Sequence, residues 1–151
     1  MEQYFALLRQ CPLFQGISPQ ELSQMLPCLG TRHMQVKKHQ MIFRAGDPAR
    51  WVGLVLSGAV HVIQEDYYGN RSIVSTFQPP QLFGEAFACA GVASLPVSVE
   101  AAQDSTLLLL DCQRVIRTCS DACAFHQRLL SNLLHVVAAK NLLLTQKLSF
   151  L

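Results

Sequence analysis

The sequence predicts a mainly β domain, a two-sheet roll of short strands with helices at both ends, the last of them long. Three observations lead there. Between Arg32 and Asp111 short apolar segments recur at nearly even spacing, closed by turn residues such as Gly46-Asp47-Pro48, Ser57-Gly58 and Tyr68-Gly69-Asn70. Before them, Ile17-Ser18-Pro19-Gln20-Glu21-Leu22 forms a complete helix start. After them, Leu130, Leu134, Val137, Asn141, Leu144, Leu148 and Leu151 are spaced four, three, four, three, four and three apart, an unbroken heptad seam.

The elements follow in order. Residues 2 to 10 carry a helical pattern, with Tyr4, Leu7 and Leu8 on one face, until Cys11-Pro12 breaks it. Ser18 then serves as N-cap, Pro19 takes the first helical position, Glu21 reaches back as a capping box, and Ile17 staples to Leu22. This helix should run to about Leu26, stopped by Pro27 and Gly30. Strands are expected at Met34 to Lys37, Met41 to Arg44, Trp51 to Leu56, Ala59 to Glu65 and Ser72 to Phe77. Val97, Val99 and Ala101 alternate with polar or small residues, and Leu107 to Leu110 is a fully apolar strand stopped at Asp111. Such strands need each other's faces to bury, so the expectation is two sheets with a cavity between them.

The stretch 78–99 organises the rest. Pro79 and Pro80 stop a strand, Phe83 anchors the chain, Gly84 allows close backbone approach, and Ala86 to Ala90 makes one short helical turn. Backbone N–H groups at such a turn suit an anion, and the Glu85 carboxylate beside them accepts hydroxyl hydrogens. An ordinary corner between strands is the competing reading of the same triplet.

The last quarter is helical. Gln113 to Arg117 reads as a short helix, and Ser120 with Asp121 caps a long one. A second set, Leu129, Leu133, Val136, Leu143 and the Lys147 stem, lies beside the seam and is expected to pack on the roll. Two stripes imply that the seam of Leu130, Leu134, Val137, Asn141, Leu144 and Leu148 meets a second copy of itself, with Asn141 fixing the register. A helix buried on several sides of a monomer is the alternative. The chain reaches Phe150-Leu151 inside this pattern without glycine, proline or polar tail, so more protein is expected to follow.

Composition narrows the function classes. With 151 residues, half of them apolar, the chain suits one well-buried domain. A formal net charge of +2, with no Lys and Arg block longer than Lys37-Lys38, argues against nucleic-acid binding by this segment. Glu2 and Arg9 interrupt the N-terminal apolar patch, so no secretory signal and no membrane partner are expected, and a cytoplasmic location is. Six cysteines in that compartment imply reduced thiols, most of them acting as small buried apolar side chains.

Phe43-Arg44-Ala45-Gly46-Asp47, Gly53-Leu54-Val55-Leu56-Ser57-Gly58, Gly69 and Phe83-Gly84-Glu85, in this order and spacing, resemble the effector domain of the Crp/Fnr family of bacterial transcription regulators. The resemblance implies a cyclic-nucleotide-binding-type jelly roll, or double-stranded β-helix, and a homodimer built on the long helix. It also implies DNA contact only through a helix-turn-helix domain that lies outside this chain. On this reading residues 1–118 are the N-terminal helices plus the effector-binding roll, and residues 119–151 the dimerisation helix.

The resemblance also implies site residues. Glu85 matches the glutamate that takes a ribose hydroxyl, but the position of the Arg that forks onto the cyclic phosphate falls on Leu95, followed by Pro96. A phosphate there would lose its cationic partner in an apolar cavity, so cyclic AMP or GMP binding is not expected. Lys140 and Asn141 align with the polar pair of the long helix that touches nucleotide, and Lys140 offers a cation for another anion. The expected ligand site therefore comprises Gly84, Glu85, Ala86 and Phe87, the wall of Ile63, Ile73, Phe83, Leu95, Pro96 and Val97, and Lys140 with Asn141. The effector is a small molecule, with an organic acid fitting such a wall, and no cofactor is expected.

Other chemistries find less support in the residues. An iron–sulfur cluster needs several nearby cysteines, and only Cys11 and Cys28, seventeen apart, lie near the N-terminus. Haem would need an axial ligand such as His61, which on a strand reads as a hydrogen-bonded surface group. Cys119, Cys123 and His126 share one helical stripe and would suit a metal or a redox pair, but no fourth ligand is evident and packing against the roll is the expectation. No Ser/His/Asp order, paired carboxylate turn or phosphate-binding glycine loop suggests an enzyme. A cupin-type metal site would need converging histidines, and His33, His39 and His61 are not spaced for one. The alternative kept open is a stand-alone module, cyclic-nucleotide-binding-like or cupin-like, that binds a ligand or metal without DNA output.

Overall fold

The structure, a computed structural model, describes residues 2–117 and 124–148. The capping box forms as the sequence requires. Ser18 Oγ accepts from the Glu21 backbone N–H at 3.2 Å, Glu21 Oε1 accepts from the Ser18 backbone N–H at 3.1 Å, and Ile17 and Leu22 are both buried. Helix α2 (Pro19–Met25) tightens into a 3₁₀ turn over Leu26–Leu29 and ends at Gly30, whose φ of 60° is left-handed. Ahead of it, α1 (Phe5–Gln10) buries Leu8.

Eight strands follow: β1 (Arg32–Val36), β2 (Met41–Phe43), β3 (Trp51–Ser57), β4 (Val60–Glu65), β5 (Arg71–Phe77), β6 (Leu82–Phe83), β7 (Ser98–Ala101) and β8 (Ser105–Asp111). They pair antiparallel in two four-stranded sheets, ordered β1-β8-β3-β6 and β2-β7-β4-β5. Apart from the β4–β5 hairpin, neighbours in each sheet are far apart in sequence, as a jelly roll requires. The fold is a cyclic-nucleotide-binding-type jelly roll followed by a long helix.

Strand β8 explains its own apolar run. Leu107 and Leu109 face the inter-sheet core with Val36, Val55, Val60, Phe83, Val99 and Ala101. Leu108 and Leu110 face the opposite way, into a second core built from Leu8, Leu13, Phe14, Leu22, Leu129 and Leu133. A strand covered on both faces has no polar side to show. The sheet is thus sandwiched between its partner sheet and a helical layer.

Helix α3 (Glu85–Ala90) fills the turn after β6, α4 (Cys112–Ile116) is capped by Asp111, whose Oδ1 accepts from the Gln113 N–H at 3.0 Å, and α5 (Ala124–Leu148) closes the chain. Asn132 Nδ2 donates to the carbonyls of Leu13 and Gln15 at 2.9 and 2.8 Å, and Arg128 to Gly16 at 2.7 Å, so the N-terminal turns lock α5 against the body. Ser120 and Asp121, read as the cap of the long helix, lie outside the described residues.

Two expectations need correction. Leu129 and Leu133 pack inward, but Leu143 is 54% exposed and Lys147 is also exposed. The inward stripe is Leu129, Leu133, Val136 and Lys140, and beyond Lys140 the helix runs past the roll, leaving 141–147 open all round. The open cavity expected between the sheets is also largely filled. Phe83 is fully buried there, its ring centroid 6.2 Å from Phe43 and 6.3 Å from Phe77. Gly53 makes this possible, because a Cβ at that position would stand 2.2 Å from the Phe83 ring.

Candidate functional site

The turn between β6 and β7 positions the site. Gly84 has φ 78°, which turns the chain sharply into α3 and puts Glu85 at its first position. Glu85 is 3% exposed, and its carboxylate Oε1 accepts from Lys140 Nζ of α5. Lys140 Nζ also donates to the Leu82 carbonyl at 2.9 Å and lies 5.0 Å from the centroid of the Phe77 ring. The other carboxylate oxygen, Oε2, is buried with no hydrogen-bond partner among the described residues. A buried carboxylate with one free oxygen, held by a single ammonium from a distant helix, is a polar group with remaining capacity for a donor.

Beside it lies a recess between the sheets, lined by Phe43, Trp51, Val62, Phe87, Leu95, Val97 and Val99 with Gly84 and Arg50 at its edge. Its free volume is about 20 Å³, room for about one water molecule. The wall is apolar, and the cation among these residues is already engaged. The Arg50 guanidinium donates twice to Asp111 Oδ2, at 3.2 and 3.0 Å, and stacks 4.8 Å over Trp51. Leu95 is fixed by its backbone, its N–H donating to the Asp47 carbonyl and its carbonyl accepting from Gly46, both at 2.8 Å.

A larger groove of about 890 Å³ runs along the flank of α5, between the helix, the N-terminal turns and Pro80 to Leu82. Asn132, His135, Gln81 and Lys140 are among its polar groups. Lys140 therefore borders the groove while holding the carboxylate next to the recess.

The structure brings together Gly84, Phe87, Leu95 and Val97 around the recess, with Glu85 and Lys140 paired alongside. It places the other expected residues elsewhere. Ile63 is buried and Phe83 is core, whereas Ile73, at 59% exposure on β5, is no part of an enclosed wall. Ala86, Pro96 and Asn141 are exposed. The sequence reading missed Arg50, Trp51, Phe43, Val62 and Val99 as lining residues. It also offered Lys140 to a ligand, when its first partner is Glu85. A lysine continuing the stripe of Leu129, Leu133 and Val136 was the signal for that, since an inward ammonium needs an inward carboxylate.

Of the other sequence candidates, Cys119 and Cys123 lie outside the described residues. His126 is buried and its Nε2 donates to the Val115 carbonyl at 3.0 Å. His39 Nδ1 sits 3.1 Å from Glu100, and the His33 ring packs 5.7 Å from Tyr4, so these two histidines point to separate partners.

A family model for the cyclic nucleotide-binding domain matches residues 33–121. The chain belongs to that family. Among solved structures it resembles the catabolite activator protein of Thermus thermophilus at 26% identity and a TM-score of 0.66, over 91% of this chain and 58% of that one. The sensor domain of the transcriptional regulator DNR from Pseudomonas aeruginosa matches at 21% identity and a TM-score of 0.74, over 100% of this chain and 97% of that one. The regulatory subunit of a cAMP-independent protein kinase A from Trypanosoma brucei matches at 19% identity and a TM-score of 0.70, over 92% and 46%. At these last two identities the likeness is one of fold. No curated protein matches the sequence. The chain spans little more than half of the Thermus protein, and it corresponds to the effector-binding part of Crp/Fnr-type regulators. Within the cyclic nucleotide-binding domain, Glu85 and the turn before it occupy the segment that the family model covers, while Lys140 comes from the helix beyond it.

Proposed function

We propose that this chain is the small-molecule sensor and dimerisation domain of a Crp/Fnr-type transcription regulator, and that its effector is not a cyclic nucleotide held by a phosphate clamp. The observation that carries this reading is the pairing of Glu85 with Lys140 beside a recess walled by Leu95. A cyclic phosphate would enter an apolar wall whose lining arginine, Arg50, is committed to Asp111. Its ribose hydroxyls would have to compete for Glu85 with an ammonium already in place. Glu85 Oε2, without a partner among the described residues, is left to take one donor from an uncharged or weakly polar effector, and because the recess beside Phe87, Leu95 and Val97 holds about one water, seating that effector requires these side chains to move apart. The name of the trypanosome relative, a cAMP-independent kinase subunit, supports a cyclic-nucleotide fold serving without that nucleotide.

Dimerisation rests on the flank of α5 that the domain itself does not cover. Leu134 is 71% exposed and Leu144 59%, with Asn141 exposed between them and Leu130 half-buried on the same flank, while Val137 packs partly on the domain's own core. Two such flanks together would bury what one chain leaves to water. The roll senses, the seam pairs, and DNA contact belongs to a further domain. A regulatory, cytoplasmic role is the one the family and its regulator relatives support. Among the described residues no helix is long and apolar enough to cross a membrane.

Calorimetric titration with cyclic AMP and cyclic GMP, followed by a thermal-shift screen of small organic acids and neutral metabolites, tests the reading. No heat from the cyclic nucleotides and a saturable shift with a member of the second set are expected. Stoichiometric cyclic AMP binding that is lost in Glu85→Gln would overturn it.

A further inference from the structure

Cys89, near the end of α3, and Cys112, the first residue of α4, bring their Sγ atoms to 3.9 Å, one thiol donating to the other. Both are free thiols on different elements, 23 residues apart. They differ in environment. Cys112 is 1% exposed, whereas Cys89 is half-buried at the rim of the core, two residues before the exposed segment 91–94. A disulfide requires an S–S distance of about 2.05 Å, so a movement of about 1.9 Å, shared between two short helices, would join them.

We propose that Cys89 and Cys112 are an oxidisable dithiol, a modification site whose oxidant is a hydroperoxide. Cys89 is the attacking group. The contact with Cys112 holds the Cys89 thiol below its ordinary pKa, and the same contact together with burial pushes Cys112 up. The Cys89 thiolate attacks the distal peroxide oxygen and breaks the O–O bond, giving sulfenic acid and, after protonation, water or the alcohol. Cys112 sulfur then attacks the sulfenic sulfur, its proton leaves with the departing hydroxide as water, and the S–S bond forms. Two thiols lose two electrons and two protons, and one peroxide is reduced.

The bond would join two elements that both hold the long helix. The first residue of α3 is Glu85, paired with Lys140 of α5, and α4 carries the Val115 carbonyl that accepts from His126 at the start of α5. Oxidation thus ties together both ends of the seat of α5. The site does not depend on the identity of the effector.

Peptide mapping tests this directly on the intact chain. No lysine or arginine lies between Arg71 and Arg114, so cleavage at arginine alone keeps both cysteines on one peptide. Combined cleavage at glutamate and arginine gives 86–100 with Cys89 as its one cysteine and 101–114 with Cys112 as its one cysteine. After hydrogen peroxide treatment of folded protein, a linked 86–100/101–114 species is expected, and dithiothreitol should remove it. Cys112→Ser should accumulate a sulfenic acid at Cys89 that a dimedone probe captures, and Cys89→Ser should leave the Cys112 thiol intact. Unlinked peptides from native-fold wild-type protein after peroxide would overturn the proposal, and so would Cys112 bridged to Cys119 or Cys123 instead. The wild-type map stands by itself if a variant does not fold.

Discussion

Replacing Lys140 with Met asks how much the domain depends on one ammonium. The methionine keeps an apolar stem beside Phe77 and removes the charge that faces Glu85, whose carboxylate is 4% exposed and has one oxygen already without a partner among the described residues. Breaking a fully buried ion pair from one side costs about 3–5 kcal/mol. Lys140 is 40% exposed, so water enters from its side and screens part of that loss. The expected cost is about 2 kcal/mol, which for a chain of this size lowers Tm by about 4–8 °C. The double variant Glu85→Gln, Lys140→Met should recover about 1 kcal/mol over Lys140→Met alone, because the stranded charge is gone. Chemical denaturation of wild type, both single variants and the double variant measures the cycle. A Lys140→Met protein with the wild-type midpoint, or a double variant no more stable than that single one, would refute the claim that this pair ties α5 to the turn.

Gly53→Ala should destabilise the roll by about 1–3 kcal/mol, read from denaturant midpoints, since the new methyl meets the Phe83 ring. Leu134→Lys should weaken self-association at least tenfold in sedimentation equilibrium while leaving the far-ultraviolet spectrum intact, because this side chain is mostly outside the domain's own core. Glu100 accepts from Arg71 at 2.7 Å and lies against His39, and these contacts hold its carboxyl below the ordinary value of 4.5. Its contribution is present above that value and is lost as pH falls through the lowered one, so Glu100→Gln should flatten the acid limb of the stability profile below about pH 4.5. Cys11 is fully buried and burial pushes its thiol up to about 11, so alkylation of the native protein near neutral pH should spare it while labelling exposed Cys28.

Much of this protein was written in local signals. Ser18 with Glu21 fixes where α2 starts, because the capping partners are three residues apart and need nothing else. The even turn spacing over 32–111 specifies a roll, and Gly84 specifies the sharp turn that presents Glu85, since few other residues adopt its backbone conformation. The inward stripe of α5 was legible as far as Val136 from its period alone.

What periodicity does not encode is which distant side chains compete for the same space. Phe83 filling the inter-sheet interior depends on Gly53, thirty positions earlier, offering a flat surface. Glu85 and Lys140 are 55 residues apart and meet because the N-terminal turns clamp α5 at Asn132 and Arg128, a contact more than 100 residues long. Cys89 and Cys112 looked like any small buried residues until two short helices set them side by side. Fold class, the turn that carries the carboxylate and the apolar stripes of the helix each follow from neighbours along the chain, so the order of residues was enough to set them. The tertiary structure alone decided that the interior is nearly filled and that a lysine of the chain itself occupies the carboxylate, because packing and charge pairing are settled between segments that meet only after folding.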